Sequence, residues 1–145
     1  MAYRRLFSIH LSSDLLDVLT EVRKVVERTV RKFTEDEDVI SDMVTIFDEA
    51  VSNAMKHAYN GGVGPVKVTL YVDERRRRFL LKVYDRGKVP DGMREDMSRY
   101  TVDLNRWLKE GKVGGIGLHL IARLSDEVYW KKIKDGKYLQ VEKGF

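Results

Sequence analysis

The stretch Ile-Phe-Asp-Glu-Ala-Val-Ser-Asn-Ala-Met-Lys-His-Ala-Tyr, residues 46–59, predicts a two-faced helix around which the chain is organised. Apolar residues recur along one side of it at helical spacing. They are Met43, Ile46, Phe47, Ala50, Val51, Ala54 and Ala58. On the other side, Glu49, Asn53 and His57 follow one another at i, i+4 and i+8, so a carboxylate, a carboxamide and an imidazole lie in one line. Such a line could hold a metal ion and a phosphate, although a solvated helix face ordinarily carries the same residue types.

The composition is that of one globular domain spanning residues 1–145. Hydrophobic residues make up 43% of the chain, which is enough for a single core. We expect a cytoplasmic protein with no membrane partner, because no apolar run is long enough for a transmembrane helix and the N-terminus lacks an apolar stretch of signal-peptide length. Cysteine is absent, which excludes disulfides, thiolate metal sites and cysteine catalysis.

The excess of positive charge in the chain does not favour a nucleic-acid function. The formal net charge is +4 and the pI is near 9.2, but much of the excess lies in the arginine run 75–78. That run falls between two strand-like segments, where a solvated hairpin tip is the ordinary expectation, and no aromatic residues are interleaved to stack on bases. We therefore expect no direct nucleic-acid partner.

Hydrophobic periodicity divides the chain into helices and strands. The predicted elements are a strand at 3–11, a helix from about 15 to 33, the helix at 38–59, strands at 66–72 and 79–84, a short helix at 118–124 and a final hairpin at 128–143. Ser12-Ser13-Asp14 is predicted to cap the first helix, and the acidic run 34–38 to lie at the positive N-terminal end of the second. Asn60-Gly61-Gly62-Val63-Gly64-Pro65 should end the second helix abruptly, because glycine accepts the left-handed conformation and proline prevents resumption.

The segment from Lys88 to Lys112 has little apolar periodicity. We expect this segment to form short helices at most. Its few large apolar residues could pack locally, and they are Val102, Leu104, Trp107 and Leu108. A long connection of this kind in a compact domain is usually a functional lid or a disordered insert.

Three motifs stand in order along the chain. They are the polar line on the helix, a strand that runs into Asp85-Arg86-Gly87, and the turn Gly114-Gly115-Ile116-Gly117 that opens a helix. Each alone is weak, since Asp-x-Gly commonly ends a strand and Gly-rich turns are commonly just flexible loops. Together, at these separations, they are specific.

The set resembles the GHKL ATPase superfamily, which includes gyrase, heat-shock chaperone ATPases, histidine kinases and mismatch-repair ATPases. Residues 49–59 resemble its N box, residues 85–87 its first glycine box, and residues 114–118 its second. Within the superfamily the chain is most similar to the anti-sigma factor serine kinases. The Glu-Ala-x-x-Asn-Ala-x-x-His-Ala-Tyr form, the small size and the ending from Gly117 to Val128 carry that likeness, which extends over the whole chain.

The resemblance implies a two-layer α/β sandwich, with a mixed sheet of four or five strands covered on one face by three helices. ATP would lie between the helices and the lid. The implied function is that of an ATP-dependent protein-serine kinase that acts as an anti-sigma factor. Such a kinase phosphorylates an anti-sigma factor antagonist and sequesters a sigma factor, and the family often forms homodimers.

Elementary chemistry agrees with the roles that the resemblance assigns to the N box. Magnesium that bridges phosphates keeps several waters, so one carboxamide oxygen, from Asn53, suffices as its direct protein ligand. Glu49, one turn away, would accept the proton of an attacking hydroxyl. His57 belongs to the same box and is included among the nucleotide-binding residues.

The glycine boxes have the complementary roles. Backbone amides of the turn with Gly114, Gly115, Gly117 and Leu118 would cradle phosphates. Asp85 would accept a hydrogen bond from the exocyclic amine of adenine, with Gly87 leaving room for the ring.

Two features depart from the family pattern. The lid is short and has no second Gly-x-Gly near its start. In many relatives a threonine that helps near the adenine follows the glycine of the last hairpin, whereas Lys137 follows Gly136 here. That substitution puts one secondary adenine contact in doubt.

Two other functions compete with the kinase. One is a nucleotide-binding switch that binds a partner without chemistry, against which the presence of Glu49 argues, because binding alone needs only Asn53 and the pockets. The other is a histidine-kinase-like ATPase module taken from a larger machine, against which the complete-looking first and last strands argue. A histidine kinase proper is disfavoured because no helical phosphoacceptor domain fits upstream of Ser12.

Overall fold

The computed structural model describes residues 3–88, 101–103 and 116–145. Its strands are β1 (Arg4–Ser12), β2 (Pro65–Asp73), β3 (Arg78–Asp85), β4 (Thr101–Asp103), β5 (Glu127–Ile133) and β6 (Gly136–Gly144). Its helices are α1 (Leu19–Arg31), α2 (Glu37–His57) and α3 (Ile116–Leu124), and a 3₁₀ turn at Leu16–Val18 precedes α1. These described helices cover one face of one sheet, which confirms the predicted two-layer α/β fold.

The sheet is larger than predicted, and its described strands are all antiparallel. The strand order is β1-β2-β3-β6-β5-β4. Each neighbouring pair in the described part runs antiparallel. The expectation of a mixed sheet of four or five strands was therefore wrong. The physical reason is the short turns after β2 and β5, which make antiparallel hairpins that join along β3 and β6.

Alternation along the central strands places one face of the sheet in the core. Leu81 and Val83 of β3 lie in register with Val141 and Leu139 of β6, and each of the four is buried beneath the helices. The apolar side of α2 meets them with the residues that its periodicity predicted, namely Met43, Ile46, Phe47, Ala50, Val51 and Ala54. Burying a large apolar side chain stabilises the fold by about 1.5–3 kcal/mol, so this face dominates the stability of the domain.

The first helix begins differently from the prediction. Leu16–Val18 form a 3₁₀ turn, and α1 then starts without a side-chain cap. Ser13, expected to cap the helix, instead joins the ends of β1 and β2: its hydroxyl accepts from the amide of Gly64 at 3.0 Å, and its own amide donates to the Gly64 carbonyl at 2.8 Å. The N-cap assignment was therefore wrong, because a buried serine at the strand end has a tertiary partner for its hydroxyl.

Helix α2 begins and ends within two residues of the predicted bounds, 38–59. The carboxylate of Asp36 accepts the amides of Asp38 and Val39, so the acidic run does cap the helix. After the helix, Asn60 and Gly61 both have positive φ, 46° and 85°, which turns the chain toward β2. In the described ranges neither α2 nor another helix has the length and apolarity needed to cross a bilayer.

Within the predicted lid, one short strand was not predicted. Thr101–Asp103 form β4, which pairs with β5 so that Val102 lies opposite Trp130. Three residues are too few for period-2 alternation to be recognised, and the pairing is decided by the neighbouring strand. Leu104, Trp107 and Leu108, and the remaining lid residues at 89–100 and 104–112, lie outside the described residues.

The face of the sheet opposite the helices carries tyrosine and lysine side chains. The rings of Tyr84 and Tyr138 lie 5.0 Å apart, and the amine of Lys82 lies 4.9 Å from the Tyr138 ring centre. Burial, with the nearby charges of Lys131 and Lys67, lowers the pKa of Lys82. Burial also raises the pKa of Tyr84 to about 12. The predicted site residues that the structure describes lie on the other face, beneath or beside the helices.

Candidate functional site

Helix α2 supplies the polar line that the sequence predicted. Glu49 and Asn53 are half-buried, and His57, its last residue, is exposed. Because α2 is continuous from Glu37 to His57, the three side chains emerge from the same side of the helix. The last two of its turns therefore form one wall of the candidate site.

The N-terminal end of α3 lies directly against Glu49. A Cβ atom at Gly117 would lie 2.7 Å from Oε2 of Glu49, which is closer than real side-chain contacts. The carboxylate of Glu49 thus occupies the space that any side chain at position 117 would fill. Two motifs separated by more than sixty residues in sequence are in contact at this point.

The end of β3 lies against the end of α2. A Cβ atom at Gly87 would lie 2.9 Å from the carbonyl oxygen of Ala58, so glycine permits the two segments to meet. The amide of Gly87 donates to Oδ1 of Asp85 at 2.8 Å, which fixes the carboxylate of a residue that is only 8% exposed. The Asp-x-Gly motif is therefore a turn that holds a buried carboxylate beside the helix.

Lys137 forms a buried ion pair with that carboxylate. Strand β6 places Lys137 in register with Asp85, and Nζ donates to Oδ1 at 2.6 Å. Lys137 is 7% exposed, so the pair is almost entirely withdrawn from water. Among the described residues, the two bonds that fix Asp85, from Lys137 and from Gly87, both end on Oδ1. Neither of them uses Oδ2.

Tyr59 forms hydrogen bonds that link the end of α2 to the start of β2 and to the turn after β3. Its hydroxyl donates to the carbonyl of Pro65 at the start of β2 and accepts the amide of Arg86 at 2.9 Å. The residue that closes the N box is therefore hydrogen-bonded into the Asp-x-Gly turn. This contact keeps the polar end of α2 close to Asp85.

The structure thus brings together Glu49, Gly117, Gly87 and Asp85 around the C-terminal half of α2. Asn53 lies between Glu49 and the helix end on the same side, while Leu118 is buried in the hydrophobic core beside Ile121. Gly114 and Gly115 lie outside the described residues. The nucleotide-binding roles of these residues, and of His57, remain predictions.

Sequence reasoning missed the role of Lys137. In the sequence, its position is only a departure from the family pattern. A signal was present, since Lys137 alternates with Leu139 and Val141 and so falls at an inward position of the strand, where a charge needs a partner. Knowing the register of β6 against β3 would have identified Asp85 as that partner.

Replacing Gly117 by alanine should reduce any activity that depends on Glu49. The new Cβ atom would displace the carboxylate from its position, and a misplacement of about 1 Å can cost up to roughly a hundredfold in rate. The melting temperature should not fall, because alanine is a better helix former than glycine. Phosphotransfer and thermal unfolding measured on the same preparation check this prediction. Parental activity in the variant would show that the position of Glu49 is unimportant.

The donor set suits a magnesium nucleotide better than a metal held by protein ligands alone. In the described part of the chain, no group of three or more histidine, cysteine, aspartate or glutamate side chains could hold a metal ion. Asn53 offers one neutral oxygen, which fits an ion that takes most of its ligands from phosphates and water. Asp85 offers a fixed, buried hydrogen-bond acceptor.

Residues 12–143 match a family described as "Histidine kinase-like ATPase domain". The chain is similar to the serine-protein kinase RsbW of Halalkalibacterium halodurans, with 28% identity over 111 residues, 77% of this chain and 67% of that protein. It is similar also to the serine-protein kinase RsbW of Staphylococcus aureus strain MSSA476, with 33% identity over 93 residues. That match covers 63% of this chain and 57% of the relative.

Among solved structures, the fold is similar to that of the histidine kinase domain from the Erythrobacter litoralis EL346 blue-light activated histidine kinase. The TM-score is 0.53 at 17% sequence identity, over 74% of this chain and 45% of that one. At this identity the likeness establishes the fold alone. Since the sequence match extends over residues 12–143, nearly the whole chain, the protein belongs to the histidine kinase-like ATPase domain family.

Proposed function

We propose that the protein is an ATP-dependent protein-serine kinase that acts as an anti-sigma factor. Its substrate would be an anti-sigma factor antagonist, and its second partner a sigma factor that it sequesters. The similarity to two proteins named serine-protein kinase RsbW supports this choice over other activities of the family. Homodimer formation belongs to the same proposal.

The contact between Glu49 and Gly117 carries the catalytic part of the proposal. It sets a carboxylate against the first turn of α3, where unpaired backbone amides attract phosphate. A base placed there is within reach of the terminal phosphate and of a hydroxyl that attacks it. A domain that only bound nucleotide would have no need of a carboxylate at that position.

Each of the three polar side chains proposed for the site then has one role. Glu49 accepts the proton of the substrate serine, Asn53 holds the metal, and Asp85 accepts from the adenine amine. When bound, Mg²⁺ would neutralise charge that develops on the phosphate oxygens. The tasks are divided along α2 and the end of β3, so binding and chemistry can be separated by mutation.

Replacing Asn53 by alanine should abolish magnesium-dependent nucleotide binding. Asn53 is the direct protein ligand proposed for the metal, and alanine has no oxygen to offer. Calorimetric titration with ATP, with magnesium and then with EDTA, should show a magnesium-dependent affinity in the parent protein that the variant lacks. Serine at the neighbouring position 52 offers a matched control, since Ser52→Ala removes a half-buried polar group whose hydroxyl donates within the helix to the Glu49 carbonyl. Unchanged affinity of the Asn53 variant in magnesium would remove Asn53 from the site.

The function itself is tested by incubating the protein with γ-labelled ATP and candidate antagonist proteins. Label on a serine of the antagonist would support the kinase. ATP binding without label on any protein would support the partner-binding switch, and release of free phosphate alone would support an ATPase module. Binding of a sigma factor should be measured separately, with and without nucleotide.

A further inference from the structure

The roles proposed above do not account for the ion pair between Lys137 and Asp85. Lysine is rarely buried, and a buried pair contributes little net stability compared with apolar residues of the same size. The pair lies on the inward face of β3 and β6, at their ends nearest the Asp-x-Gly turn. A charged donor therefore stands beside the acceptor that is proposed to read the base.

We propose that Lys137 and Asp85 read the adenine edge together, with Lys137 donating a hydrogen bond to N1 while Asp85 accepts one from the 6-amino group. This inference rests on the proposed function, because it concerns the base of the same nucleotide. Lys137 would then be a specificity-determining residue of the site. It would supply a second contact to the adenine ring through a charged donor.

The donor and acceptor pattern of the pair fits adenine. The ammonium group has three protons, of which the bond to Asp85 Oδ1 uses one. On the carboxylate, Oδ2 is used by neither Lys137 nor Gly87. The 6-amino group and N1 of adenine are adjacent on the base, the first a donor and the second an acceptor, as the carboxylate and ammonium are adjacent in the protein.

Guanine in the same pose has the reverse pattern. Its O6 would face the carboxylate of Asp85 and its N1–H would face the ammonium group of Lys137. A buried mismatch leaves polar groups without partners, and sites built on hydrogen bonds reject such analogues strongly. Lys137 would thus add a second point of discrimination to the one that Asp85 provides.

The test compares nucleotides on the unaltered protein, so it needs no variant to fold. Calorimetric or fluorescence titration with ATP, 1-deaza-ATP, purine riboside triphosphate and GTP separates the two contacts. The analogue 1-deaza-ATP lacks only the N1 acceptor, and it should bind about tenfold or more weakly than ATP, the usual scale for a lost hydrogen bond to a charged group. Purine riboside triphosphate lacks the 6-amino group and reports on Asp85 alone.

Variants then assign the N1 contact to Lys137. Lys137→Met, of similar length and without charge, should bind ATP and 1-deaza-ATP equally. Lys134→Met removes the same charge from an exposed position of the same hairpin and should keep the parental preference. Thermal unfolding of both variants shows whether each is folded at the titration temperature.

The outcomes separate this inference from the proposed function. If the parent protein bound ATP and 1-deaza-ATP with equal affinity, Lys137 would not contact N1 and the inference would be overturned, with the kinase proposal intact. Preferential binding of GTP would overturn it as well, because the pair would then read guanine in a shifted pose. If no adenine nucleotide bound at all, the proposed function itself would fail.

Discussion

The Glu49→Gln protein is expected to bind ATP nearly as well as the parent and to transfer phosphate about 10²–10⁴-fold more slowly, the usual scale for a positioned base. Glutamine keeps the size of the side chain that lies against Gly117, so the first turn of α3 has no reason to move. It loses the basicity that is needed to accept the proton of the substrate serine. Binding and chemistry should therefore separate in this variant.

The measurement is single-turnover transfer of labelled phosphate to the antagonist, with ATP affinity measured in parallel. Glu35→Gln, at an exposed position before α2, makes the same chemical change outside the site and should leave both quantities unchanged. Transfer by Glu49→Gln at the parental rate would contradict the mechanism. A loss below about tenfold would mean that positioning dominates, as a loose metaphosphate-like transition state permits.

A collapse of ATP affinity in the same variant would lead to a different conclusion. Glu49 would then belong to the structure of the site or to the surroundings of the metal, and not to the proton-transfer step. The partner-binding switch would become the better function, because it requires nucleotide binding but no base. The Gly117→Ala variant provides an independent comparison, since it moves the carboxylate without changing its charge.

Much of the fold could be predicted because local pattern and tertiary structure agree in this chain. The helical spacing of the apolar residues along α2 determines its buried side, and Asp36 and the Asn60-Gly61 pair determine its ends. The alternation of apolar and polar residues determines the inward faces of β2 and β3. These signals lie within a few residues of the elements they define. Nothing distant along the chain had to be known.

The errors arose where distant residues decide the outcome. Ser13 has the sequence context of a helix cap, but its hydroxyl bonds to Gly64, fifty-one residues later. The relative directions of the strands depend on how the hairpins join in the sheet. The number of strands depends on β4, which is too short to be recognised in the sequence. Each case is one in which a tertiary partner overrides a local preference.

The candidate site, like the fold, could be predicted from the sequence only in part. Its motifs were visible in the sequence because their residue types and order are distinctive. The contacts that organise it were not visible, because Glu49 with Gly117 and Asp85 with Lys137 each join segments more than fifty residues apart. A lysine after a hairpin glycine gives no indication of its partner until the register of β6 against β3 is known.

The Asp85→Asn protein should be both less stable and deficient in ATP binding. Asparagine leaves the buried ammonium group of Lys137 without its counter-ion, and removing one partner of a buried pair costs about 3–5 kcal/mol. Its amide also presents a donor where the adenine amine needs an acceptor, which should weaken ATP by about 5–150-fold, or about 1–3 kcal/mol. Urea unfolding and calorimetric titration measure the two effects separately.

The double variant Asp85→Asn with Lys137→Met distinguishes the two causes. Removing both charges eliminates the unpaired buried ammonium group, so part of the lost free energy of unfolding should return. ATP affinity should not return, because the acceptor for the adenine amine is still missing. A double variant as unstable as Asp85→Asn alone would show that the cost arises from the Asp-x-Gly turn and its bond to Gly87. If either protein bound ATP as tightly as the parent, Asp85 would not be the residue that reads the base.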